Sequence, residues 1–169
     1  MAEQAEEARR RAPGALALAL AALVIALDQA SKWWIVTVVM APPRIIPLAP
    51  FLNVTLTRNR GISFGLLPLE GLWGPWLLSA LALAIVVGLF VWQRRARSRL
   101  ISTAVGLIAG GALGNALDRL DARGVVDFID VYAGSYHWPA FNLADSSITL
   151  GVALLIAEAL FSRRERHKS

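Results

Sequence analysis

Four apolar stretches, each near the length that crosses a bilayer, constrain this chain most: Ala15 to Met40, Leu72 to Trp92, Leu100 to Leu117 and Ser147 to Phe161. A transmembrane helix needs about 20 largely apolar residues. With 56% of its 169 residues hydrophobic and only 17% charged, the chain has more apolar surface than a soluble domain of this size can bury. The expected fold is an all-α polytopic membrane protein with one membrane-embedded domain over residues 1–169. Its transmembrane helices are expected at about 15–40, 72–92, 100–117 and 146–162, with outer loops at 41–71 and 118–145. Asp28-Gln29-Ala30-Ser31-Lys32 interrupts the first apolar run, and the last run is short enough that its helix should begin before Ser147.

Basic residues set the orientation. Arg9, Arg10 and Arg11 precede the first span, Arg94, Arg95, Arg97 and Arg99 separate the second from the third, and Arg163, Arg164, Arg166 and Lys168 follow the fourth. The other faces carry only Arg44, Arg58, Arg60, Arg119 and Arg123. The positive-inside rule then puts both termini in the cytoplasm and both long loops outside. The net charge of +5 is therefore a topological marker and not a nucleic-acid footprint, because it lacks the aromatic interleaving of a base-stacking surface. The start resembles a cleavable signal peptide, but the apolar run resumes at Trp33 and no polar mature sequence follows, so a retained anchor is the better reading. Without cysteine there is no disulfide framework, thiolate metal site or cysteine nucleophile.

Several polar residues sit where an apolar run does not need them. Asp28 and Lys32 are four apart, so on a helix they share a face and neutralise one another. Either they point into the bundle and buttress a polar site, or the first helix ends near Leu27 and they lie in water. Phe51 to Thr57 alternates apolar and polar residues, the period of a half-exposed strand. Asn59-Arg60-Gly61 reads as a turn, with Ile62 to Gly65 returning as a second strand. Leu66 to Trp73 reads as an interfacial segment. The third span carries Gly106, Gly110, Gly111 and Gly114, small residues that let another helix approach closely. At its end Asn115 and Arg119 share a face, with Asp118 one turn from Asn115.

Two further acids, Asp127 and Asp145, flank apolar segments, and an ionisable residue at or inside a bilayer marks function when partners exist for it. Asn115, Arg119, Asn142 and Lys32 are the candidate partners. His137 beside Trp138 reads as an interfacial residue and His167 as part of the basic tail, so no histidine is placed to activate Ser63, Ser146 or Ser147.

Five blocks occur in order: Asp28-Gln29-Ala30-Ser31-Lys32, Asn59-Arg60-Gly61-Ile62-Ser63-Phe64, Gly110 through Asn115 to Asp118-Arg119, Val126-Asp127-Phe128, and Pro139-Ala140-Phe141-Asn142-Leu143-Ala144-Asp145-Ser146. Together they resemble the lipoprotein signal peptidase family (signal peptidase II), the bacterial intramembrane aspartic peptidases. The resemblance implies that Asp127 and Asp145 are a catalytic dyad. It also implies that Asp28, Lys32, Asn59, Gly61, Phe64, Asn115, Asp118, Arg119, Asn142 and Ala144 support the site or contact substrate. Two neighbouring carboxylates share one proton, so one can activate water while the other polarises the scissile carbonyl, with no metal or cofactor. The implied substrate is a prolipoprotein already carrying diacylglyceryl on its cysteine, cut just before that residue by a monomeric enzyme in contact with lipids of the bacterial inner membrane. Two other readings are a metal-dependent lipid headgroup transferase, using Asp118, Asp121, Asp127 and Asp130, and a small proton-coupled transporter.

Overall fold

The computed structural model describes residues 2–59, 73–94, 98–121 and 124–166, with side chains placed from Gly14 to Phe161 within those ranges. Helix α1 spans Ala2–Trp34, followed by strands β1 (Ile46–Ala49) and β2 (Leu52–Asn59). Helices α2 (Gly74–Gln93) and α3 (Arg99–Leu120) come next, then β3 (Val125–Ala133), β4 (Tyr136–His137) and helix α4 (Leu143–Arg166). Among the described residues, four helical stretches are long and apolar enough to cross a membrane: Gly14–Val39, Gly74–Gln93, Arg99–Leu120 and Leu143–Phe161.

Helix α1 runs unbroken through Asp28 and Lys32. The buried positions along α1 and its continuation are Ala17, Ala21, Val24, Asp28, Lys32 and Ile35, a stripe at three- and four-residue spacing. The two charged residues extend the same inward face that the small apolar residues start, which excludes the reading of a helix ending near Leu27. After Trp34 the helix widens over Ile35–Val39, where the Met40 amide donates to the Ile35 carbonyl at 2.8 Å. Pro42 and Pro43 prevent its continuation.

Helix α3 is the centre of the bundle and packs against α1, α2 and α4. Small residues make this possible. A methyl added at Gly110 would stand 2.6 Å from Val24 Cβ on α1, and one at Gly151 of α4 would stand 2.6 Å from Ile108 Cγ1 on α3. Without an interhelical hydrophobic drive inside lipid, such close backbone approach is what holds membrane helices together. Helix α2 packs through Val86 and Phe90 against Ala109, Ala112 and Leu113. Its remaining surface, including Leu77, Leu81, Ile85 and Val91, is apolar and exposed, as a lipid-facing surface requires.

The chain ends of the four helices that carry β1 to β4 define the sheet end of the bundle. The sheet has the order β1-β2-β3-β4 and is antiparallel throughout. Alternation in 51–57 identified β2, which pairs with β1 on one side and with β3, from the later loop, on the other. The expected return strand at Ile62 to Gly65 and the segment 66–72 lie outside the described residues; Trp73, at the edge of that segment, is 81% exposed. The 118–145 segment, expected as an outer loop, contains β3, whose start follows Gly124 in the left-handed region at φ +87°. The fourth helix starts at Leu143, so Asn142 and Asp145 belong to its first turn.

Candidate active site

Asp127 is brought to its place by strand pairing. It sits opposite Thr57 of β2, beside a bulge between Val54 and Thr57 that re-aims the strand locally. On its other side β3 bonds to Phe141: the Ile129 and Phe128 amides donate to the Phe141 carbonyl at 2.9 and 3.1 Å, and the Phe141 amide donates to Ile129 O at 3.0 Å. That single bridge delivers Asn142 and the start of α4 to the flank of Asp127.

Asn142, fully buried, is the hub. Its Nδ2 donates to Asp127 Oδ1 at 2.8 Å, to Asn115 Oδ1 at 3.1 Å and to the Val126 carbonyl at 3.2 Å. Asn115 Nδ2 donates in turn to Asp145 Oδ1 at 2.8 Å. The two carboxylates are thus tied to one another through two side-chain amides, one from α3 and one from the cap of α4. Asn59, at the end of β2, makes a further side-chain hydrogen bond to Asp127.

Burial pushes the Asp127 carboxyl up to about 6, and the negative charge of Asp145 adds to the rise; the hydrogen bonds from Asn59 and Asn142 and the charge of Lys32 oppose it. Asp145 is partly exposed and lies in the first turn of α4, where the helix N-terminus favours an anion.

Beneath the two acids lies a charged layer. Lys32 Nζ reaches Asp28 Oδ2 at 2.7 Å, Asp118 Oδ2 at 2.9 Å and Asn115 Oδ1 at 2.9 Å. Asp28 Oδ1 accepts the Ala144 amide at 3.0 Å, so it satisfies one of the orphan donors of α4. Arg119 donates from Nη1 to the Asn115 carbonyl at 3.1 Å. Gly114 leaves the space that the Asp28 carboxylate occupies, and Gly111 faces the Ala144 carbonyl.

The structure therefore places Asp28, Lys32, Asn59, Asn115, Asp118, Arg119, Asp127, Asn142, Ala144 and Asp145 in one connected cluster at the sheet end. Gly61 and Phe64 lie outside the described residues. Gln29 is a participant that the sequence reading passed over; a lone amide in an apolar helix next to a buried acid was the available signal. His137 is more engaged than an interfacial residue need be: its Nδ1 lies 2.8 Å from Asp130 Oδ1, and its ring stacks on Tyr132. Among the described residues no three His, Asp or Glu side chains converge as a metal site. Three of the four acids named for a headgroup transferase are engaged separately: Asp118 with Lys32, Asp130 with His137 and Asn53, Asp127 with Asn142.

A bundle of membrane-length helices carrying two amide-linked carboxylates at one end defines a polytopic membrane protein with a polar site at its sheet end. The chain matches the family model for Signal peptidase (SPase) II over residues 20–161, and it belongs to that family. It is thus a membrane peptidase. It is 50% identical over 139 residues to a lipoprotein signal peptidase of Methylorubrum extorquens, covering 80% of each chain. A lipoprotein signal peptidase of Beijerinckia indica is 45% identical over 141 residues, covering 83% of this chain and 84% of the relative. Among solved structures, a bacterial membrane enzyme determined by the in meso method at 2.3 Å resolution superposes with a TM-score of 0.76 at 33% identity, covering 87% of this chain and 88% of the other.

Proposed function

We propose that the chain removes the signal peptide from diacylglyceryl-modified prolipoproteins by cutting before the lipidated cysteine, with Asp127 and Asp145 as the acid pair that activates water. The observation that carries this reading is the Asn142–Asn115 linkage, which holds both carboxylates at one site. Asp127, 2% exposed and with its carboxyl pushed up to about 6, holds the shared proton and polarises the scissile carbonyl. Asp145, at the helix N-terminus, takes a proton from the attacking water. The proton on Asp127 passes to the developing oxyanion to give a gem-diol; on its collapse the Asp145 proton goes to the leaving amine while one hydroxyl proton returns to Asp127, which restores both carboxyls to their starting state. Neither step calls for a metal or a covalent enzyme intermediate.

In this reading Asn142, Asn115 and Asn59 fix the carboxylates, Arg119 and Asn59 face the extended substrate backbone, and Asp28, Lys32 and Ala144 anchor the start of α4. Gly61 and Phe64, outside the described residues, contact substrate. The precursor's signal helix approaches from within the bilayer and unwinds locally, because a helical amide is shielded by its own hydrogen bonds. Its lipid chains stay in the membrane. The charge bias of the loops puts the sheet end on the outer face of the bacterial inner membrane and both termini in the cytoplasm, and the enzyme works as a monomer.

Incubating the purified protein with a lipid-modified precursor and mapping the cut tests the proposal. A single cut before the modified cysteine is the expected result. Cleavage elsewhere, or equally fast cleavage of unmodified precursor, would overturn it.

A further inference from the structure

The arm that ends in Phe141 and Asn142 returns along β3 out of step by one residue. Ile129 bridges Phe141 and Tyr132 pairs with His137, so residues 138–140 of the arm face only residues 130 and 131 of β3. The arm bulges there, and Pro139 has no amide to give to the ladder. Asp130 lies at this break. Its Oδ1 and Oδ2 stand 2.8 and 3.0 Å from His137 Nδ1, and Oδ2 also accepts from Asn53 Nδ2 of β2 at 2.9 Å. One carboxylate thus ties three strands together. Burial favours its neutral form, but the hydrogen bonds from Asn53 and His137 outweigh this and hold the carboxyl below its ordinary range. An ionised carboxylate only accepts, so Nδ1 of His137 carries the hydrogen.

We infer that Asp130 and His137 are positioning residues for the peptidase reaction: they fix where the arm 136–142 lies along β3, and so where Asn142 and Asp145 stand relative to Asp127. An extra residue in one strand has several places to sit, and a slip of one residue turns the following side chains to the other face. Phe141 would then leave Ile129, and Asn142 Nδ2 would leave Asp127 Oδ1. Strand β4, Tyr136–His137, is too short to hold the register alone. The His137 side chain is 52% exposed, and an ion pair open to water holds little by itself. Two further contacts stiffen this one: Asn53, 8% exposed, fixes Asp130 from β2, and the His137 ring stacks on Tyr132 with centroids 5.1 Å apart. The side-chain partners of Asp130 are Asn53 and His137 and not the acid pair, so its removal acts through the arm. Misplacement by about 1 Å far from the chemistry costs up to on the order of 100-fold in rate, and the loss belongs to kcat.

This inference rests on Asp127 and Asp145 being the reacting pair, and the test separates the two. In steady-state cleavage of a lipid-modified precursor, Asp130→Ala is expected to lower kcat about tenfold with KM within about twofold. His137→Phe, which keeps the ring on Tyr132 but loses Nδ1, is expected to lower kcat about threefold, the effect of one hydrogen bond. Asp130→Asn retains an oxygen for His137 Nδ1 and is expected to recover most of the Asp130→Ala loss. The Asp130→Ala, His137→Phe double variant should be no slower than Asp130→Ala, because the two residues act through one contact. Hydrogen exchange reads the arm without turnover: the Trp138 and Phe141 amides, which donate to Val131 and Ile129 carbonyls, should exchange faster in Asp130→Ala while those of α3 do not. Parental kcat in Asp130→Ala, or a change confined to KM or to Tm, alongside an inactive Asp127→Asn would overturn the inference and leave the acid pair standing. An active Asp127→Asn would overturn the acid pair itself. If Asp130→Ala does not fold, His137→Phe and Asp130→Asn decide: a parental kcat in His137→Phe, or a kcat in Asp130→Asn below that of His137→Phe, contradicts the role.

Discussion

Asn142 and Asp145 cap one another: the Asp145 amide donates to Asn142 Oδ1 at 3.0 Å while the Asn142 amide donates to Asp145 Oδ2 at 3.2 Å. This is a capping box in which the acid at the third helical position is also one of the two candidate catalytic carboxylates. The same atoms that begin α4 aim the acid, so the geometry of Asp145 is fixed before any substrate arrives. It also makes the isosteric amide the informative substitution, because Asn at 145 still accepts the Asn142 amide whereas Ala would remove the cap.

Asp127→Asn and Asp145→Asn are each expected to lower kcat by about 10³-fold while leaving a folded protein in detergent, since an amide keeps the shape but cannot exchange the shared proton. The double variant should be no slower than either single one, as groups acting as a unit are non-additive. Steady-state cleavage of a lipid-modified precursor measures this. A single variant retaining more than about a tenth of the parental rate would remove that carboxylate from the chemistry.

The pH profile follows from Asp127. Because it must carry a proton to polarise the carbonyl, kcat/KM should fall as pH rises beyond about 6. Stability has the same sign. Between the ordinary 3.8 and about 6 the folded chain keeps a proton that the unfolded chain has released, so the contribution of this group is full below 3.8 and is lost as pH rises through about 6. Asp127→Asn, which cannot ionise, should therefore gain in Tm relative to the parent on going from pH 4 to pH 7. Equal differences at both pH values would contradict it.

Lys32 neutralises Asp28 and Asp118 together, so Lys32→Met strands two buried acids and is expected to destabilise by about 3–5 kcal/mol. Adding Asp28→Asn should recover part of that, because the amide oxygen still accepts from the Ala144 amide without an unpaired charge. Thermal midpoints in one detergent provide the comparison; strictly additive losses would place the pair in water.

Close helix contact makes Gly114 of α3 unequal to Gly88 of α2. A methyl at Gly114 would lie 2.7 Å from Asp28 Oδ2, whereas one at Gly88 meets nothing within 4 Å. Gly114→Ala should lower both Tm and turnover by displacing Asp28 from α4, and Gly88→Ala should leave both unchanged or raise Tm slightly. Similar effects of the two changes would argue against the α1–α3 contact.

Orientation is testable because the chain lacks cysteine. Arg58→Cys and Ser135→Cys should label from outside intact cells with an impermeant thiol reagent, while Arg97→Cys and Glu165→Cys should not. Labelling of positions 58 and 135 only after the membrane is opened would place the site where translocated precursors never arrive.

Hydropathy is a local property, and so the sequence by itself determined the spanning helices, the alternating strand at 51–57 and the isolation of a few polar residues among apolar ones. The spacing of Asp28 and Lys32 already placed them on one face of α1, and bilayer energetics already required partners for them. Which partners they have was decided elsewhere. Strand β3 was missed because its hydrogen bonds go to residues about 70 positions earlier and to Phe141, and pairing at that separation leaves no period in the local sequence to distinguish it from a loop. Asp127 owes its position beside Asn142 and Asp145 to that pairing. Gln29 and Asp118, 89 residues apart, meet only because small residues on α3 let α1 approach it closely. A buried polar group takes its role from whatever satisfies it, and in this chain those groups lie on other helices, so only the packed bundle could assign them.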